Sequence, residues 1–204
     1  MEPAKNGSNG ASASKSGSMA AVGRELHTFV AYVEDIPGVL NRVTSLFRRR
    51  NYNIDSLTVG RTDTPGVSRM TIVMEADDTT ARLVEANLYK LLNVLRVEDV
   101  THAPSVVRDL ALVKVSATAA TRAQVLQIIE VFRARVVDVA PEALIVEITG
   151  TEDKLQGLVE VLRPFGIIEM VRTGSVAMTR GAEAVAVDPG FVSAVVPTNG
   201  NGDH

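Results

Sequence analysis

The chain has 204 residues, of which 46% are hydrophobic, a formal net charge of −3 and no cysteine. This composition excludes a disordered or fibrous protein, disulfides, thiolate catalysis and cysteine-based zinc sites, and it offers no broad electrostatic attraction for nucleic acid. Because no apolar run approaches the roughly 18 residues that cross a bilayer, we expect a soluble, cytoplasmic protein without a membrane partner.

Both ends of the chain have the composition of flexible tails. Residues 1–24 are rich in Gly, Ser, Ala and Asn, and they contain no cluster of large side chains to bury. An organelle transit peptide is the less favoured interpretation, because the segment has a single arginine and no amphipathic pattern. Residues 182–204 carry Pro189 and Pro197 and end in NGNGDH. The folded part therefore lies between these tails, and it divides near Pro104.

The first half, residues 27–102, begins with a strand, a helix and a second strand. The segment HTFVAYV is rich in β-branched and aromatic residues and predicts the first strand. Pro37 then suits the first turn of a helix, and a strand is predicted from 53 to 61. The predicted apolar stripe of this helix is Val39, Leu40, Val43, Leu46 and Phe47.

A third strand, a second helix and a fourth strand complete this half. A turn over 62–66 leads into VSRMTIVME, in which Met70, Ile72 and Met74 share one face. The run Asp77-Asp78-Thr79 supplies the chemistry that starts a helix. The predicted buried side of that helix is Leu83, Val84, Leu88, Leu91 and Leu92, and Leu95 and Val97 alternate in the last strand.

The second half, residues 105–181, repeats the order with different residues. DLALVKVSA predicts a strand, Thr121 a helix N-cap, and RVVDV and ALIVEIT two further strands. Thr151 is the predicted N-cap of the last helix, which Pro164 and Gly166 end before the strand IIEMVRTG. The predicted apolar residues of the two helices are Val125, Ile128, Ile129 and Phe132, and Leu155, Leu158, Val159 and Leu162.

The repeated order predicts an α+β protein made of two tandem ferredoxin-like βαββαβ units flanked by flexible tails. Each unit is small and has helices for only one face of its sheet. In the third strand, Met70, Ile72 and Met74 face one side, while Thr71 and Val73 make the other side partly apolar. We therefore expect pairing between subunits, in a homodimer at least.

The sequence predicts neither a catalytic nor a metal site. His27, His102 and His204 have no partner at a helical metal-ligand spacing, and we interpret them as surface or edge histidines. The chain has no nucleophile elbow, no P-loop and no dinucleotide-binding glycine motif. The strands IDSLTVG and SRMTIVM lack the aromatic residues on which an RNA-recognition motif stacks bases.

The segment EDIPGVL, between the first strand and the first helix, is the candidate binding site. A helix N-terminus attracts anions, and Gly38 has no Cβ to keep a carboxylate away from the backbone. Asp35 offers a negative charge for an ammonium group, so the corner fits an α-amino acid. Val39, Leu40 and Ile54 would form an apolar wall for its side chain. A turn with a purely structural role is an equally supported interpretation of this corner alone.

Longer stretches resemble the regulatory (small) subunits of acetohydroxyacid synthase, also called acetolactate synthase. VEDIPGVLNRVTSLFRRRNYNIDSLTVG followed by SRMTIVM is similar to the ACT domain of that family. DLALVKV, FRARVVDVAPEALIVEITGTEDKL and RTGSVAMTRG resemble the second half of the same family. The resemblance covers about residues 27–181.

The resemblance implies a non-catalytic subunit of branched-chain amino-acid biosynthesis. Its catalytic (large) partner would carry thiamine diphosphate, magnesium and FAD, and the small subunit would need no cofactor. It would raise the partner's activity and confer feedback inhibition by valine, with leucine and isoleucine as further effectors. The implied valine site combines Asp35, Ile36, Pro37, Gly38, Val39 and Leu40 of one chain with Asn53 and Ile54 of its neighbour.

The two predicted units, divided near Pro104, lead to a hypothesis about how the roles are divided. Residues 27–102 would bind the effector and form the dimer, and residues 105–181 would activate the partner. A free-standing amino-acid-sensing regulator of another enzyme or of transcription is the alternative, but the chain carries neither a helix-turn-helix nor a catalytic domain. A small acylphosphatase-like enzyme is a weaker alternative, since the first loop lacks the arginine that phosphate chemistry needs.

Overall fold

The computed structural model describes residues 23–182 and contains two βαββαβ units, as predicted. Apart from residues 23, 24 and 182, the two predicted tails lie outside the described residues. No helix within this described part is long and apolar enough to span a membrane. The first unit comprises β1 (Glu25–Glu34), α1 (Val39–Arg49), β2 (Ser56–Arg61), β3 (Val67–Ala76), α2 (Asp78–Leu88) and β4 (Val94–Asp99).

The second unit follows the same order of elements and adds one strand at its end. Its elements are β5 (Ser105–Ser116), α3 (Arg122–Val131), β6 (Arg135–Val139), β7 (Ala143–Gly150), α4 (Glu152–Leu162), a 3-10 turn (Arg163–Phe165), β8 (Ile167–Arg172) and β9 (Val176–Thr179). The two antiparallel sheets have the strand orders β2-β3-β1-β4 and β6-β7-β5-β8, and β9 pairs with β5. The α+β tandem architecture is therefore confirmed.

The predicted helical stripes are confirmed best where the apolar spacing is regular. In α4, the whole predicted stripe from Leu155 to Leu162 is buried. In α3, Val125 and Ile129 are buried, and Ile128 and Phe132 pack partly against the same core. A stripe at spacings of three and four residues faces one side of a helix, so the sheet covers all of it.

The stripe predicted for α2 is wrong at two leucines. Leu83 is 50% and Leu92 84% exposed, whereas Ala81 and Asn87 are buried beside Val84. The helix ends at Leu88, so Leu92 lies beyond it. The face that meets the sheet includes small and polar residues here, and hydrophobicity alone therefore misplaces it.

The histidine at the start of β1 also differs from its prediction. His27 is only 2% exposed and lies in an interior strand, with its Nδ1 3.0 Å from the Asp99 Oδ2. The interpretation as a surface or edge histidine is therefore wrong for His27. It is correct for His102, whose side chain is 71% exposed, and His204 lies outside the described residues.

The three predicted helix N-caps differ in whether their side chain makes a capping hydrogen bond. The Asp77 carboxylate accepts a hydrogen bond from the backbone N–H of Thr80 at 2.8 Å, and this bond lowers the pKa of Asp77. Thr121 and Thr151 occupy N-cap positions, but within residues 23–182 neither side chain makes a capping bond. Glu152 and Asp153, in the first turn of α4, instead stabilise its N-terminus through their favourable interaction with the helix dipole.

The second unit covers part of the outer face of the first sheet. The first residues of β5, Ser105 to Arg108, pair with β9, a strand that the sequence analysis did not predict. Ala177 of β9 is 2% exposed and packs with Val30 and Val100 of the first unit. The second unit of the same chain therefore covers part of the sheet face that we expected a second subunit to cover.

Candidate functional site

The strand-to-helix corner lies at the surface, where β1 ends. The backbone N–H of Asp35 donates to the carbonyl of Gly66 at 2.8 Å, which fixes the corner against the β2–β3 turn. The Asp35 carboxylate lies 3.1 Å from Nε of Arg61, and both side chains are accessible to solvent. The Asp35 carboxylate, which we predicted to bind an ammonium group, therefore lies at the corner, where it is paired with Arg61.

Gly38 is the N-cap of α1 and has a left-handed backbone, with φ 88° and ψ −9°. This conformation favours glycine. A Cβ on Gly38 would meet no atom of the described part of the chain within 4 Å, so the space in front of the helix is open.

The N-terminus of α1 has free backbone donors. Among the described residues, no side chain caps it, and its first turn contains no acid. The first N–H that bonds back into the helix is that of Arg42, which donates to the carbonyl of Gly38 at 3.0 Å. The earlier N–H groups point out of the helix end, where the dipole favours an anion.

A polar network that the sequence analysis did not predict supports the corner. The Arg42 guanidinium donates to the side-chain carbonyl of Asn93, and the Asn93 amide donates to the Glu34 carboxylate. Glu34 and Asn93 are 7% and 6% exposed. The only signal in the sequence was a single Asn within the apolar run LLNVL. This network links the end of β1 to the first turn of α1.

Two apolar side chains are accessible beside the free N–H groups. Ile36 is 39% and Leu40 44% exposed. Val39, which we predicted in the apolar wall, is 3% exposed and packs in the core. Within one chain, Ile36 and Leu40 therefore provide the apolar surface at the corner.

Asn53 and Ile54 lie at the other end of the sheet. The second strand begins at Ser56, not at residue 53. Nδ2 of Asn53 donates to Oδ1 of Asp55 at 3.1 Å, and the other Asp55 oxygen accepts from the N–H of Glu75. Ile54 is half-buried against the core.

A single chain does not bring the two halves of the predicted site together. Arg61, at the far end of β2, contacts Asp35, whereas Asn53 precedes the start of that strand. The six residues of β2 alone separate these ends by about 17 Å, at about 3.3 Å per residue. One ligand can touch both halves only if a second chain supplies one of them.

The chemistry of the corner suits a small zwitterion. Free N–H groups at a helix end can bind a carboxylate, Asp35 can accept an ammonium group, and Ile36 and Leu40 can contact a short apolar side chain. An incoming ammonium group would compete with Arg61 for the Asp35 carboxylate.

Two family models match successive parts of the chain. The model described as "AHAS small subunit-like ACT domain" matches residues 29–96, and the one described as "Small subunit of acetolactate synthase" matches residues 108–181. The first match covers the corner and most of the first unit, and the second covers most of the second unit.

Curated relatives agree with these matches over nearly their whole length. The acetolactate synthase small subunit of Mycobacterium leprae is 48% identical over 164 residues, which are 80% of this chain and 97% of the relative. A probable acetolactate synthase small subunit of Methanothermobacter thermautotrophicus is 44% identical over 162 residues, 79% of this chain and 96% of the relative.

A solved structure agrees with the fold. The crystal structure of the acetolactate synthase small subunit of Thermotoga maritima superposes with a TM-score of 0.72 at 36% identity. The match covers 78% of this chain and 99% of the other. Both units are therefore included in the similarity.

Proposed function

We propose, since this chain belongs to the acetolactate synthase small-subunit family, that it is a non-catalytic regulatory subunit of that enzyme. It would bind the catalytic subunit, raise its activity and make it sensitive to valine, with leucine and isoleucine as further effectors. Thiamine diphosphate, magnesium and FAD would belong to the catalytic partner. The observation that carries the proposal is the 48% identity that extends over 97% of a named small subunit.

Reconstitution with the catalytic subunit from the same source tests this role. We expect the two proteins to elute together in gel filtration and the rate of acetolactate formation to rise when this chain is added. The chain alone should form no acetolactate. If the chain neither elutes with the catalytic subunit nor changes its rate, the proposed role is incorrect.

We further propose that valine binds between two copies of the chain. The corner of one copy would bind the carboxylate at Gly38 and the ammonium at Asp35. The partner copy would supply Asn53 and Ile54, because these residues lie too far from the corner of their own chain. This arrangement requires a homodimer formed through the first units.

Valine should raise the melting temperature of the isolated, full-length protein. A ligand that binds only the folded protein stabilises it by about 2.7 kcal/mol at 100 times its Kd. Leucine and isoleucine should act in the same direction, whereas lysine, glutamate and tryptophan should have little effect. Ile36 and Leu40 at the corner suit a short branched side chain better than a charged side chain or a large ring, and Arg61 is paired with Asp35.

Differential scanning fluorimetry across all twenty amino acids measures this selectivity. D-valine is the matched control, since it has the same groups in the mirror arrangement and should stabilise less. An equal response to every amino acid would rule out the effector site in this chain, without affecting the proposed role as a subunit.

A further inference from the structure

Three ligand-type side chains meet where β1 begins and α2 begins. Glu25 and His27 lie two residues apart on β1 and therefore project from the same face of the strand. Asp78 is the first residue of α2. Nε2 of His27 lies 4.0 Å from Oε1 of Glu25 and 3.9 Å from Oδ1 of Asp78. One ligand atom from each side chain falls within 4.8 Å of the other two.

His27 directs an unsatisfied nitrogen into this cluster. Its side chain is 2% exposed, and among residues 23–182 its Nε2 is a buried atom without a hydrogen-bond partner. Its other nitrogen, Nδ1, lies 3.0 Å from Oδ2 of Asp99. Because a carboxylate accepts hydrogen bonds, Asp99 fixes the orientation of the ring through Nδ1, and Nε2 is the nitrogen left without a partner beside the two carboxylates.

The separations of 3.9 and 4.0 Å exceed the length of a hydrogen bond, which is about 2.7–3.2 Å. A tetrahedral zinc ion with bonds of about 2.0–2.2 Å holds its ligand atoms about 3.4 Å apart, so completing a metal site needs a smaller movement of the carboxylates than forming two hydrogen bonds. The spacing is therefore closer to that of a metal site than to that of hydrogen bonds.

We propose that Glu25, His27 and Asp78 bind a divalent transition-metal cation of the zinc class. Zinc prefers imidazole nitrogen and carboxylate oxygen, often with three protein ligands and water in the fourth position. Asp99 would orient the imidazole from behind, as carboxylates do for histidine ligands of metals. Helical ligand spacings in the sequence do not reveal this site, because Glu25 and His27 are alternate residues of a strand and Asp78 is distant in sequence.

The two carboxylates lie at the surface, and Oε1 of Glu25 also lies 3.1 Å from Nε2 of His102, a contact that a bound ion would have to replace. The Glu25 and Asp78 side chains are 49% and 69% exposed, and ligand atoms in a tetrahedral zinc site lie about 3.4 Å apart, so small side-chain rotations suffice. A surface depression lined by Glu25, Asp77 and Asp78 opens the two carboxylates to solvent, and His27 lies beneath it without lining it. Arg24 also lines this depression, but its guanidinium donates to the carbonyl of Glu75.

A bound ion would connect the first strand to the second helix. Glu25 and His27 would anchor it to β1, and Asp78 would anchor it to α2. The site lies in the first unit but away from the corner at Gly38, which follows the other end of β1. None of its three ligands is a residue of the proposed valine site, although Asn53 and Ile54 lie at the same end of the sheet.

Zinc titration of the untagged, full-length protein after removal of metals with a chelator tests the site. In competition with a chromogenic chelator, we expect saturable binding of one zinc ion per chain. Glu25→Gln and Asp78→Asn should each weaken binding at least about tenfold, since even residues that only support metal ligands cost that much. Nitrogen-15 NMR of the imidazoles should show the shift at Nε2 of His27.

Two matched variants control for general effects of charge. Glu130→Gln removes an exposed carboxylate from α3, and Asp153→Asn removes an acid from the first turn of α4. Both should bind zinc as the parent does. Zinc that does not bind saturably, or that leaves the His27 imidazole unshifted, would overturn the proposal. So would Glu25→Gln and Asp78→Asn variants that bind like the two controls.

Magnesium distinguishes the class of cation. Because magnesium prefers oxygen ligands and keeps its water, it should bind this site much more weakly than zinc. Magnesium binding as tight as zinc binding, unchanged in His27→Gln, would show that the imidazole is not a ligand and would contradict the proposal.

Discussion

Gly38→Asp should abolish the valine response of the reconstituted holoenzyme while most of the activation remains. The new carboxylate would occupy the open space before α1 and repel the carboxylate of the effector. Losing one or two charge-assisted hydrogen bonds costs about 1–3 kcal/mol each. Allosteric coupling energies are also about 1–3 kcal/mol, so one substitution is sufficient to remove the signal.

Gly38→Asn is the matched control, because the backbone of Gly38 has a left-handed φ of 88°. Asp and Asn tolerate this conformation to a similar extent, and they have nearly the same size. The difference between the two variants therefore reports the added charge, not backbone strain. We expect Gly38→Asn to retain part of the valine response.

The rate of acetolactate formation against rising valine concentration measures both variants, and circular dichroism confirms that they fold. If Gly38→Asp remains as sensitive to valine as the parent, the corner is only a turn. Asn53→Ala should weaken feedback more mildly, because it removes one polar contact from the partner copy. An undiminished response in Asn53→Ala would place that residue outside the site.

The sequence predicted the order of elements because each one has a strong local pattern. The alternation of Met70, Ile72 and Met74 defines the face of β3 that packs in the core of the first unit, and the spacing from Leu155 to Leu162 defines the buried face of α4. These patterns depend on the period of a strand or a helix and need no knowledge of the rest of the chain. The tandem fold follows directly from them.

Features that depend on contacts distant in sequence were not predictable in this way. The burial of His27 depends on Asp99 and on α2, and the support of the corner depends on Asn93, far along the chain. β9 is four residues long and is stabilised by pairing with β5. Local propensity is a weak predictor of whether such a short segment forms a strand, because the strand depends on tertiary contacts.

The candidate site was also predictable only in part. The helix start after β1 could be predicted from the apolar stripe, but the placement of Pro37 in the first turn is wrong, because Pro37 lies before the N-cap Gly38. The burial of Val39 and the pairing of Asp35 with Arg61 needed the structure. The proposed contribution of Asn53 from a second chain rests on the distance between the two ends of β2.

The packing between the two units gives a route by which valine could affect the catalytic partner. Oγ of Ser56 accepts a hydrogen bond from the N–H of Ser175 at 2.9 Å, and Oγ1 of Thr58 donates to the carbonyl of Thr173 at 3.3 Å. Ser56 begins β2, directly after the loop that carries Asn53 and Ile54. The proposed effector site and the second unit therefore meet through the same strand.

Ala177→Asp should uncouple valine binding from feedback. Ala177 packs against Val30 and Val100, and a short carboxylate there cannot reach solvent without separating the units. Arg69 donates to the Ala177 carbonyl and could face the new carboxylate, but desolvating a buried ion pair costs several kcal/mol per ion and overfilling packed space about 1–3 kcal/mol more, which exceeds a coupling energy of about 1–3 kcal/mol. We expect the units to separate, valine to bind with a Kd within a few-fold of the parent, and feedback to fall at least about tenfold.

Met178→Asp is the matched control, since Met178 follows Ala177 on β9 and is 68% exposed. It adds the same charge to the opposite side of the strand, so it should leave feedback unchanged. Calorimetry with valine and the holoenzyme rate measure binding and feedback separately in both variants.

The proposed roles of residues 27–102 in feedback and 105–181 in activation require the units to communicate through this packing. Normal feedback in an Ala177→Asp variant whose units have separated would show that the signal takes another path and would contradict this division of roles.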